Sequence, residues 1–112
     1  MDIQTKLYKK FIDDLVSQRD CILAKRVREK HRSCPKIIDL LSDEDREAIA
    51  KMLQNARDSG IHDILVYLNE QMTLNEMRIV IDGTELPVEP FDTEMFYDWV
   101  ARRDGDTWPD ER

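Results

Sequence analysis

His62 and Asp63 stand side by side, a pairing that metal phosphohydrolases use to hold a cation. Such a site needs further histidines and acids from other helices. The one other histidine, His31, lies in a basic segment, and no acid can be assigned to complete the set. Cys21 and Cys34 add two soft ligands at no spacing that a zinc site uses. No metal is expected, and His62 reads as a surface or capping residue at a helix start. Asp98, Asp104 and Asp106 also cluster, with Asp110 and Glu111 behind them. A calcium loop needs D-x-[DN]-x-[DN]-G and a glutamate six residues later. Here Gly105 falls between two acids, so the cluster reads as a helix exit turn. The chain has no G-x-S-x-G, no cysteine with a histidine partner and, with three glycines in all, no phosphate-cradling loop. No catalytic residue and no cofactor are assigned.

The better chemistry is recognition. Asp98, Arg102, Arg103 and Trp108, beside Trp99, form a candidate patch. An arginine stacks on indole and grips a carboxylate or phosphate with two parallel hydrogen bonds. The plainer reading packs Trp99 in the core, folds Trp108 over the last helix and pairs an arginine with a nearby aspartate.

A second candidate is a basic face at Lys25, Arg26, Arg28, Lys30, Arg32 and Lys36. Residues 1–36 hold ten Lys and Arg against five Asp and Glu, whereas residues 37–112 hold seven against nineteen. The net charge of −7 thus hides an amphoteric chain, and surface charge steers partners more than it sets the fold. A pI near 4.8 argues against duplex DNA, whose binding domains usually exceed a pI of about 9. The basic helix is expected to lie against acidic helices, within one chain or across a dimer.

These residues need elements to hold them. Ile3, Leu7, Tyr8, Phe11, Ile12, Leu15, Val16, Ile22, Leu23 and Val27 recur at three and four residues. They predict one amphipathic helix of about 28 residues, ending near Lys30. Cys34-Pro35 interrupts it, and Pro35 opens a short turn at Ile37–Leu41. Ser42 caps the next helix, with three acids in its first turn, and Gly60 is expected to end it in the left-handed conformation. A separate helix then carries Ile61, Ile64, Leu65, Leu68 and Met72. Met77–Ile81 and Thr84–Leu86 flank an Asp82-Gly83 hairpin turn. A last helix, capped by Asp92, carries Met95, Phe96, Trp99 and Val100. The fold class is α+β and mainly α: a long N-terminal helix, three to four shorter helices and one small β-hairpin. The whole of 1–112 reads as a single domain.

Gly60-Ile61-His62-Asp63, Tyr67-Leu68-Asn69-Glu70, Glu85-Leu86-Pro87, Pro90-Phe91 and above all the stretch Phe96–Pro109 carry a resemblance. The chain resembles a family of short uncharacterised bacterial proteins, a domain of unknown function. The resemblance implies a bacterial cytosolic protein of one domain, and no activity or ligand.

No apolar run approaches the ~20 residues that span a bilayer, and Met1–Lys6 has no signal-peptide core, so a cytoplasmic protein without membrane contact is expected. The expected function is non-catalytic binding of a protein partner. The alternatives are nucleic-acid or nucleotide binding through the basic helix, and a small enzyme with an acid-lined cleft. A helix of about 28 residues is about 42 Å long, more than a chain this size covers, so self-association as a homodimer is also expected.

Overall fold

Asp2 starts the first helix by accepting the backbone N–H of Thr5 at 2.8 Å, one of the four donors a helix N-terminus leaves open. The computed structural model describes residues 2–112. Helix α1 (Ile3–Ser17) is followed by α2 (Ile22–Arg28), a 3-10 turn at Lys36–Leu40, and α3 (Asp43–Leu74). Strands β1 (Val80–Ile81) and β2 (Thr84–Glu85), helix α4 (Met95–Arg103) and a 3-10 turn at Pro109–Glu111 complete the chain. The fold is mainly helical with one small antiparallel sheet. Among the described residues, no helix is long and apolar enough to cross a membrane.

The expected N-terminal helix exists as a bent 26-residue stretch, Ile3–Arg28, that breaks at Gln18–Cys21. Counted this way the chain has three α-helices, not one plus three to four. The cause is local and tertiary together. The stripe lapses at Arg19 and Asp20, and the Ser17 hydroxyl bonds the Asp14 carbonyl. The Gln54 side chain then donates to the Arg19 carbonyl at 2.8 Å, and the Arg19 guanidinium clasps Asp58 at 2.8 and 2.9 Å. These side-chain contacts from α3 hold the backbone of Arg19 in the bend between α1 and α2.

The second correction joins what the sequence divides. Gly60 does not end a helix: α3 runs through it from Asp43 to Leu74 without a left-handed residue. Glycine tolerates the α conformation at a cost of about 1 kcal/mol against alanine, and apolar anchors on both sides outweigh that. The start is as expected, with Ser42 Oγ accepting from Asp45 N–H at 3.1 Å.

The hairpin pairs Val80 with Glu85 and Ile81 with Thr84. Asp82 and Gly83 both take positive φ (48° and 76°), as a two-residue hairpin turn of matching twist requires. Helix α4 begins later than expected. Its N-cap is Glu94, not Asp92, and its first N–H, that of Met95, finds Asn69 Oδ1 at 2.9 Å on α3. It ends where expected: Gly105 (φ 91°) donates to Arg102 O at 3.1 Å and Asp106 to Ala101 O at 2.9 Å, a paired closure.

The chain divides into two compact units. Unit 1 comprises residues 1–18 and 61–112, and unit 2 residues 19–60. Unit 1 is built on buried Tyr8, Ile12, Leu65, Met72, Met95, Trp99 and Trp108. Unit 2 buries Ala24, Val27, Ile38 and Ala50, smaller side chains from each of its three elements.

Candidate functional site

Unit 1 carries a pocket of about 250 Å3 beside α4. Its lining includes Phe91, Tyr97, Asp98, Arg102, Trp108 and Arg112. Three of the four patch residues expected from sequence thus meet here. Arg103 stands apart: its guanidinium lies over the Trp99 ring at 5.5 Å and pairs with Asp104 at 3.0 Å.

Each wall is held in place. Asp98 is buried, and its two oxygens accept from the Tyr8 hydroxyl on α1 and the Thr93 hydroxyl. Burial pushes its carboxyl above the ordinary aspartate value, against the pull of those two bonds. Burial, and then the bond to Asp98, push the Tyr8 phenol above its ordinary range. Arg102 grips Asp13 of α1 at 2.8 and 3.2 Å and reaches the Asp106 carbonyl at 2.8 Å. Its guanidinium also lies 5.0 Å from the Trp108 ring. Trp108 meets Phe91 at 5.4 Å and Tyr8 at 6.1 Å between centroids. Lys9 approaches Trp108 at 5.8 Å while pairing with Asp110 at 2.8 Å and Glu111 at 3.0 Å. The last 3-10 turn is thereby tied to α1 through one largely buried ammonium.

Unit 2 carries the basic face. Lys25, Arg26 and Arg28 sit on α2, Lys30 and Arg32 follow it, and Lys36 opens the 3-10 turn. Arg28 grips Glu47 at 2.8 and 3.0 Å, which raises the arginine and lowers the glutamate. Among the described residues, the other five cations make no ion pair. Ile22, Leu23, Ile37, Leu40 and Met52 are exposed in the same unit.

His62 is part of α3, not a helix start, where it rests edge-on to Phe96 at 5.3 Å. Cys21 and Cys34 are free thiols. Among the described residues, no three His, Cys, Asp or Glu side chains are placed to hold a metal ion.

A family model matches residues 1–110. The chain belongs to the Family of unknown function (DUF6547). The family's pattern therefore takes in every element from α1 through α4 and reaches into the closing turn, and so covers residues of both units. No curated protein and no solved structure matches the chain.

Reading the sequence of this DUF6547 member missed Tyr8, Lys9, Phe91 and Arg112 at the pocket and its supports. Tyr8 gave a signal: a hydroxyl within an apolar stripe must find a partner once buried. Lys9, beside it, gave none.

Proposed function

We propose that the chain is a non-catalytic protein-binding domain that pairs with a second copy of itself through unit 2. The observation that carries this reading is the 3-10 turn Lys36–Leu40. Leu40 is 81% exposed and Ile37 57% exposed. In a 3-10 helix residues three apart eclipse, so these two side chains stand together in water. Near them in the chain lie five cations, Lys25, Arg26, Lys30, Arg32 and Lys36, that make no ion pair among the described residues. An apolar pair within a charged surround is the makeup of an interface core and its rim. A second copy offers matching acids: Glu44 and Asp45 are exposed in the first turn of α3, beside Asp43, which Arg46 already holds. The non-catalytic half of the reading draws on Asp98, the acid that lines the pocket. Both its oxygens are already engaged.

Light scattering at micromolar concentration is expected to give about twice the chain mass of 13.3 kDa. Ile37→Ser with Leu40→Ser is expected to return the monomer mass with helicity unchanged. A parent chain that stays monomeric at high concentration overturns the reading. The five cations then favour a polyanion, and duplex DNA binding that weakens with salt by a slope near 0.9 per phosphate contact would establish that second reading.

A further inference from the structure

The unit 1 pocket is independent of that interface and has its own chemistry. We propose that it binds a small aromatic carboxylate. Three aromatic side chains, Phe91, Tyr97 and Trp108, supply flat apolar surface, and Ala101 of α4 adds a small apolar side chain to the lining. The volume of about 250 Å3 lies below the roughly 300 Å3 at which drug-sized sites begin, so the occupant is a single ring with one substituent.

The charge of the substituent follows from which lining groups are spent. Asp98 is buried, and each of its oxygens already accepts a hydroxyl. A guanidinium has five N–H donors; Arg102 uses three on Asp13 and Asp106, so two remain. Arg112 is exposed and, among the described residues, makes no ion pair. Beside the neutral hydroxyls of Tyr97 and Thr107, the charged donors left at this pocket are therefore guanidinium groups, and these favour a planar carboxylate. The walls are pre-organised, because Asp13 fixes Arg102 while Tyr8 and Phe91 fix Trp108. A chain of net charge −7 repels anions at long range, so the affinity is expected to be modest.

Isothermal titration with benzoate and with benzylamine compares the same ring with opposite charge. Benzoate is expected to bind saturably in the millimolar range, at least about tenfold tighter than benzylamine. Arg112→Gln, at an exposed position, is expected to weaken benzoate by roughly tenfold. Ala101→Trp is expected to abolish binding by filling the space, with circular dichroism checking that α4 persists. Benzylamine binding as tightly as benzoate overturns the proposal. So does the absence of saturable benzoate binding, or benzoate affinity unchanged in either variant.

Discussion

Tyr8 donates its phenolic proton to the buried carboxylate of Asp98, ninety residues further along the chain. The bond joins α1 to α4 at the base of the pocket, and the two groups do not titrate as they would in water. Both native values are raised, so each group contributes stability that is present below its ordinary value and lost as pH rises through its native one. For Asp98 the loss begins at pH ~4 and for Tyr8 at pH ~10. Urea midpoints of the parent and Asp98→Asn from pH 4 to 7 are expected to converge as pH rises. The parent's lead over Tyr8→Phe is expected to hold to about pH 10 and then fall. A lead over Asp98→Asn that grows with pH contradicts this assignment.

Trp99 is fully buried, as its helical face with Met95 and Phe96 predicts, yet among the described residues its indole Nε1 has no hydrogen-bond partner. The two features pull apart in mutation. Trp99→Ala leaves a large cavity and is expected to cost about 3–5 kcal/mol. Trp99→Phe keeps a ring and removes an unmet donor, so its cost is expected to be well under half of that. Chemical denaturation of both variants checks the ordering. Equal losses would mean that the indole N–H is satisfied in solution.

Helices α2 and α4 end in the same paired closure with different residues at its left-handed position. In α4 this is Gly105; in α2 it is Lys30 at φ 52°, with Lys30 N–H on Val27 O and His31 N–H on Arg26 O. A side chain there crowds the following carbonyl, which glycine avoids. Lys30→Gly is expected to stabilise by about 1 kcal/mol at fixed protein concentration, and Lys30→Ala to be near neutral, since it removes the same charge and keeps the crowding. Stabilisation of equal size in both would assign the effect to charge.

What the sequence made legible was local. The stripe of α1, the Ser42 cap, the Asp82-Gly83 turn and the Gly105 exit each depend on residues within a turn or two. The joining of Asp98 and Arg102 was legible for the same reason: four residues apart on a helix they share a face. Arg103 is five from Asp98 but four from Trp99, and it lies over that ring. The groups that complete the site are remote in sequence. Tyr8 on Asp98, Asp13 on Arg102 and Asn69 on Met95 are pairings that no local rule selects. The break at Gln18–Cys21 belongs with them, since Gln54 and Asp58 hold it open from α3.

Gly60 offers a direct test of the continuous α3. A Cβ built there meets nothing within 4 Å, and the residue has ordinary helical backbone rather than positive φ. Alanine in the middle of a helix is favoured over glycine by about 1 kcal/mol. At a left-handed helix end the sign reverses, because only glycine takes that conformation freely. Gly60→Ala is therefore expected to raise stability by about 1 kcal/mol and leave helicity unchanged or slightly higher. Urea denaturation followed by far-ultraviolet circular dichroism reads both quantities. A loss of similar size would mean that two helices meet at Gly60, as the sequence alone suggests, and that α3 is not one element.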